Sequence, residues 1–297
     1  MLSRRVLLLG AAGVGVSGLG AAGLGIHQGV LPGRPWMQAQ LGLNGEDGVV
    51  PDTEPGPVVT GTFVSRHRLG AETGWALIRP PGASRPLPLV VALHGLSADH
   101  ARLLGPDFAL PEFLAQAVAD GTPPFAVATV DGGRSYWHER PWGEDAGAMV
   151  TEELLPLLSD RGVVLDRVGL IGWSMGGFGA LHLAARLGAE KVRAVVASSP
   201  AVWSDPEDAG PSGFEDEEEY EEFTLFGRQQ ELEGIAVRID CGTGDPFYRD
   251  VEDYVEGFTD DNDLTASFEP GGHNPDYWRR VLPGQLAFLG ERVSSTS

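Results

Sequence analysis

The chain has 297 residues, 42% apolar and 21% charged, with 42 Gly, 22 Pro, one Cys and a formal charge of −21. A chain this long hides roughly three quarters of its unfolded surface, and its apolar content excludes disorder throughout. The single Cys excludes an intrachain disulfide framework and a Cys-rich zinc site, and the negative charge argues against binding nucleic acid, which needs a basic footprint.

In chain order, Ser3-Arg4-Arg5 is followed by an uncharged run to Ile26 with many Ala and Gly. A paired arginine ahead of a mild apolar run has the layout of an export signal. With Leu7 and Leu8 behind it, the pair resembles the twin-arginine type. So many glycines make a poor soluble helix, each costing about 1 kcal/mol against Ala. Residues 1–27 are expected to be such a signal. The alternative is an uncleaved membrane anchor, because no clear Ala-x-Ala site is evident and the run spans about 20 residues. Residues 28–57, rich in Gly, Pro and Asp, are expected to be a flexible linker outside the fold.

From residue 58, short apolar runs alternate with amphipathic segments. Residues 58–64 and 75–78 predict an opening antiparallel pair. Residues 87–93 and 125–130 are continuous apolar runs, as expected of strands covered on both faces. A helix is predicted over 102–119 between them, and a second over 145–159. Then come a strand at 167–171, a small-residue helix at 175–187, and strands at 193–197, 236–241 and 264–268. A helix over 277–289, interrupted at Pro283 and Gly284, closes the chain. This alternation predicts an α/β fold with a mostly parallel central sheet and helices on both faces, in one domain over 58–292.

Residues 201–234 break the rhythm with an acidic insertion, Glu215-Asp216-Glu217-Glu218-Glu219-Tyr220-Glu221-Glu222. A solvated excursion is the favoured reading. Phe214, Tyr220, Phe223, Leu225 and Phe226 give it an apolar side, which keeps a lid over a site as the alternative.

Gly172-Trp173-Ser174-Met175-Gly176-Gly177 is the most informative stretch. G-x-S-x-G alone is weak in a Gly-rich chain, but here an apolar strand precedes it and a helix follows. A nucleophile on a sharp strand-to-helix turn needs small neighbours. Ser174 then requires a downstream base. His273, in Gly271-Gly272-His273-Asn274-Pro275 between the last strand and helix, has the right place in the order Ser, acid, His. Asp245, in the loop after the strand at 236–241, is the candidate acid; Asp240 inside that strand and Asp250 beyond the loop are the alternatives. Oxyanion donors are expected from the backbone N–H of Met175 and of Leu96, the latter after His94-Gly95 at the end of an early strand. The His94 side chain is expected to be a structural hydrogen-bonder more than a catalyst. His94, Gly95, Trp137 and Trp173 are candidates for contact with substrate. Trp137, Trp142 and Trp203 would line an acyl or aromatic pocket or pack in the core. Cys241 reads as a packing residue.

These pieces, with Asp131-Gly132-Gly133, Tyr136-Trp137, Glu152-Glu153-Leu154-Leu155-Pro156, Gly244-Asp245 and Gly272-His273, occur in the order of a known family. From about residue 87 to 289 the chain resembles the esterase D-type branch of the α/β-hydrolases. Its members include S-formylglutathione hydrolases, feruloyl and enterochelin esterases, and mycolyltransferases. The resemblance implies an α/β-hydrolase fold, a Ser174–His273–Asp245 triad, and neither metal nor organic cofactor. It leads to an exported serine esterase acting through an acyl-enzyme on a small-molecule or cell-envelope ester. Contact with a membrane is expected only through the N-terminal segment. The rivals are acyl transfer to a carbohydrate acceptor, as in mycolyltransferases, and a non-catalytic cell-envelope binding protein that keeps the fold.

Overall fold

The structure, a computed structural model, describes residues 33–84 and 86–295; the signal or anchor expected over 1–27 lies outside them. One sheet contains β1 (Val58–Ser65), β2 (Ala71–Ile78), β3 (Leu87–Leu93), β4 (Ala126–Val130), β5 (Val163–Trp173), β6 (Val192–Ser198), β7 (Ala236–Gly242) and β8 (Asp263–Glu269). The order across it is β1-β2-β4-β3-β5-β6-β7-β8. β2 pairs antiparallel with β1 and β4, and the remaining pairs are parallel. The helices are α1 (Arg34–Gln40), α2 (His100–Leu104), α3 (Leu110–Ala119), α4 (Ala146–Met149), α5 (Leu155–Leu158) and α6 (Met175–Leu187), followed by α7 (Pro206–Gly213), α8 (Glu217–Phe223), α9 (Tyr248–Glu256) and α10 (Pro275–Val293). This is the α/β-hydrolase architecture expected from the sequence.

β3 explains the continuous apolar runs. Successive side chains of a strand point to opposite faces. Leu89, Val91 and Leu93 pack in a cluster with Met149, Phe178 and Leu181, while Val90 and Ala92 pack with Phe113, Leu282 and Leu286 on the other side. Helices cover both faces, so no position is free to be polar.

Several local expectations change. The helix expected over 102–119 is two, because the chain turns extended at Gly105 and left-handed at Ala109 (φ 47°). The helical stretch after Asp145 contains a π turn, Val150–Leu154, just before Pro156. No interruption occurs at Pro283: α10 runs through it. Pro283 removes one backbone hydrogen bond, and the burial of Leu282, Leu286 and Leu289 on the same helix outweighs that loss.

Residues 33–57 are not a linker outside the fold. Gly48 N–H donates to Asp276 O at 2.8 Å, Arg279 Nε to Gly48 O at 2.9 Å, and Arg79 N–H to Pro57 O at 3.0 Å. Composition marks such a segment as irregular; it does not reveal that arginines elsewhere bind its carbonyls. The acidic insertion is likewise two-sided. Glu217 and Glu218 face solvent, whereas Phe214, Tyr220 and Leu225 are buried. Tyr220 Oη donates to Trp203 O at 2.8 Å. Arg140 Nε meets Glu219 Oε1 at 2.9 Å, with side chains 1% and 5% exposed. Among the described residues no helix is long and apolar enough to cross a membrane.

Candidate active site

β5 ends at Trp173 and α6 begins at Met175, so Ser174 alone makes the turn, at φ 57° and ψ −120°. A non-glycine residue in that region is strained and persists only where its surroundings enforce it. Here glycines permit the close approach: a Cβ on Gly172 would overlap Gly176 O, and one on Gly176 would overlap Leu93 O. The turn is tied to the next strand loop, with Ser174 N–H donating to Ser198 O at 3.0 Å and Ala201 N–H donating to Ser174 O at 3.1 Å.

The fold brings Ser174, His273 and Asp245 together. His273 Nε2 lies 2.9 Å from Ser174 Oγ, and His273 Nδ1 lies 2.8 Å from Asp245 Oδ2. A carboxylate can only accept, so Nδ1 carries the proton and Nε2 is left to accept from the hydroxyl. The buried Asp245 also accepts the Phe247 N–H at 2.9 Å through Oδ1. His273 packs against Phe247 and Trp278, at ring distances of 5.3 and 5.1 Å. Neither neighbour was singled out in the sequence. Phe247 stands two residues beyond Asp245, and Trp278 follows the α10 N-cap Asn274 by one turn; proximity in sequence to the candidate acid and base was the only available signal. The alternative acids are engaged elsewhere. Asp240 pairs with Arg238 through both oxygens at 2.8 Å and accepts from Gln285 Nε2 at 2.8 Å. Asp250 accepts from Ser204 N–H and Oγ.

His94 is buried, and burial holds its pKa below the usual histidine value. Gly132 N–H donates to Nε2 at 2.9 Å, so Nδ1 carries the proton and donates to Gly95 O at 2.8 Å. In a trans peptide the N–H points opposite the carbonyl. By holding Gly95 O, His94 therefore sets the direction of the Leu96 N–H. A Cβ on Gly95 would sit 3.4 Å from Ser174 Cβ, which places this peptide beside Ser174. Met175 is the first residue of α6, where an N–H has no partner within its own helix.

The tryptophans divide. Trp173 is fully buried across the sheet, edge-on to Phe108 at 5.1 Å. Trp137 is fully buried too, donating Nε1–H to His94 O at 3.3 Å. Its ring fills the space that Gly132 and Gly179 leave open. Both pack the core and do not line a substrate pocket, and His94 reaches the site only through backbone. Trp142 is exposed, with Arg140 over its ring at 4.6 Å. Trp203 is half-buried and meets Phe247 at 5.4 Å, which puts it in a row of rings that reaches His273. Cys241 is buried.

His138 and His182 lie away from Ser174, under the insertion, where His138 stacks on Phe223 at 4.3 Å. Burial pushes their pKa values down to about 4 and about 3. His100 bonds Asp131 at 2.7 Å. Among the described residues, no three His, Cys, Asp or Glu side chains are grouped to hold a metal ion.

Comparison with known proteins identifies the family and the fold. Residues 67–289 match the model of the Esterase family, described as "Putative esterase". The fold is similar to an S-formylglutathione hydrolase from Agrobacterium tumefaciens, with TM-score 0.66 and 21% identity over 84% of this chain and 99% of that one. It is similar to the Staphylococcus aureus fluorophosphonate-binding serine hydrolase F, with TM-score 0.65 and 17% identity over 80% and 99%. A ferulic acid esterase from Anaeromyces mucronatus gives TM-score 0.63 and 18% identity over 85% and 95%. At these identities the likeness establishes the fold. A search of curated protein sequences gives no match.

Proposed function

This chain belongs to the Esterase family and is an ester-hydrolysing enzyme, and from that premise we propose that Ser174, His273 and Asp245 cleave carboxylic esters through an acyl-enzyme. The observation that carries the reading is the unbroken run of contacts from Asp245 through His273 to Ser174, at 2.8 and 2.9 Å. His273 Nε2 takes the hydroxyl proton as Ser174 Oγ attacks the ester carbonyl. The Met175 and Leu96 N–H groups donate to the oxygen as it becomes negative, where fixed donors act most strongly. Collapse of the tetrahedral species breaks the C–O bond, and His273 returns the proton to the departing alcohol. Water, activated by the same nitrogen, then attacks the acyl-enzyme and releases the acid. Asp245 keeps the imidazole in the required tautomer and stabilises it when charged.

The test is a fluorophosphonate probe followed by peptide mass analysis, together with nitrophenyl esters of graded chain length. Probe mass on Ser174, and hydrolysis abolished in Ser174→Ala, are expected. A folded protein that leaves Ser174 unmodified would favour the non-catalytic reading. Product analysis with and without added sugar separates hydrolysis from acyl transfer. Export through residues 1–27 is part of the same proposal and rests on Ser3-Arg4-Arg5 and the uncharged run after it. Cell fractionation with N-terminal sequencing tests it, and full-length protein in the cytosol would refute it.

A further inference from the structure

Asp245 and His273 each follow a glycine, Gly244 and Gly272. One segment far away in sequence covers both. Asn44 Oδ1 and Gln38 Oε1 fill the space where a Cβ on Gly244 would stand, Gln38 Oε1 at 2.7 Å from that position. Asn44 Nδ2 is 3.2 Å from the equivalent position on Gly272. Gln38, on α1, is 3% exposed, and its Oε1 also accepts from Thr243 Oγ1 at 3.5 Å. The segment is fastened in turn. Arg280 Nη1 donates to Asn44 O at 3.2 Å and also to Glu46 O. Arg279 Nε donates to Gly48 O at 2.9 Å, and Gly48 N–H donates to Asp276 O at 2.8 Å. A Cβ on Gly48 would overlap the backbone of Arg279 and Arg280. These arginines lie on α10, whose N-cap Asn274 directly follows His273.

We propose that residues 38–48 form a strap that positions the catalytic pair: Gln38 and Asn44 press on the peptides preceding Asp245 and His273 and hold both side chains in register with Ser174. The inference rests on the functional reading above and adds a part to it. Asp245 and His273 sit on loops, the elements that open most readily, and a shift of about 1 Å in a reacting group costs about a hundredfold in rate. The two loops are bonded to each other through Gly244 N–H and Gly271 O, and the His273 loop runs straight into α10. The strap adds a second tie, from the Gly244 and Gly272 positions to Arg279 and Arg280. Gln38 and Asn44 are positioning residues; neither touches the reacting atoms.

The test uses the full chain with Gln38→Ala, Asn44→Ala and the double variant, and Gln38→Met as the size-preserving control. The double variant is expected to lose about tenfold or more in kcat with KM changed less than about threefold, and Gln38→Met to stay near wild type. Fluorophosphonate labelling of Ser174 slows in parallel. The downfield proton resonance of the His273 Nδ1–H, assigned with His273→Ala, broadens in the double variant. Circular dichroism and thermal unfolding show whether the variants keep their fold. Wild-type kcat with an unchanged resonance in a folded double variant overturns the strap, as does a loss confined to KM. Wild-type protein that leaves Ser174 unlabelled counts against the esterase mechanism instead, and the resonance then still reports the strap's hold.

Discussion

Gly244 donates its backbone N–H to Gly271 O at 2.7 Å, so the loop that carries the acid and the loop that carries the histidine are joined just ahead of Asp245 and His273. The Asp245–His273 contact is thus the side-chain end of a backbone pairing, made where β7 and β8 run out side by side.

Substitutions at the triad are expected to be unequal. In the proposed mechanism Ser174→Ala removes the nucleophile, and it should lower kcat by about a million-fold. Asp245→Asn keeps the bond to the Phe247 N–H available but lets the imidazole take the wrong tautomer, so a loss of about ten-thousand-fold is expected. Steady-state kinetics on a nitrophenyl ester, with circular dichroism to verify the fold, check both.

His94→Ala should resemble loss of an oxyanion donor. It frees Gly95 O and with it the direction of the Leu96 N–H, so kcat falls about a hundredfold to a thousandfold. Equal losses in kcat and kcat/KM are the expected signature. A rise in KM alone would mean that the Leu96 N–H does not serve the transition state.

The Arg140–Glu219 pair fastens the insertion, so breaking it from one side is worse than removing it whole. Arg140→Ala leaves Glu219 buried and unpaired and should cost about 3–5 kcal/mol. Replacing both residues with apolar ones of similar volume should recover most of that. Urea unfolding of wild type and of these two variants tests this; equal stability in the single and double variants would refute it.

Stability should fall as the medium is acidified below about pH 6.5. His138 and His182 keep their protons less readily when folded, at about 4 and about 3, than at the ordinary value of 6.5. Between these limits the unfolded chain binds protons that the folded one does not, and this favours unfolding as pH drops. Arg140 beside His138, and Arg186 and Arg228 beside His182, add to the repulsion. Asp145 works against it at His138. Glu219, held above the usual carboxylate range mainly by burial, offsets part of the loss at the acid end. For His138 alone the effect is on the order of 3 kcal/mol between pH 6.5 and 4. Unfolding free energies at pH 7 and 5, in wild type and His138→Phe, check the sign. A wild type as stable at pH 5 as at pH 7 would refute it.

Much of the fold was legible because strands covered on both faces must be apolar at every position, as β3 is, and because Gly172 and Gly176 bracket Ser174 where only a tight turn needs them. The approach of Ser174, Asp245 and His273 to one another was legible by chain order, since each follows one of the parallel strands β5, β7 and β8 at its carboxyl end. The tryptophans were not, because ring size alone does not say which side of the sheet a ring enters: Trp173 went to the core and Trp203 to the row of rings beside His273.

By itself the sequence determined the sheet, the elbow and the order of the three chemical groups, because periodicity and local turn chemistry act between residues close along the chain. Only the tertiary structure decided that α10 would run through Pro283, that His94 would aim the Leu96 peptide, and that Gln38 and Asn44 would lie against the loops of Asp245 and His273. Those outcomes depend on partners far apart in sequence, such as Arg279 with Gly48 and Asn44 with Gly244. Their contact energies exist only once the chain has folded and have no local pattern from which to be read.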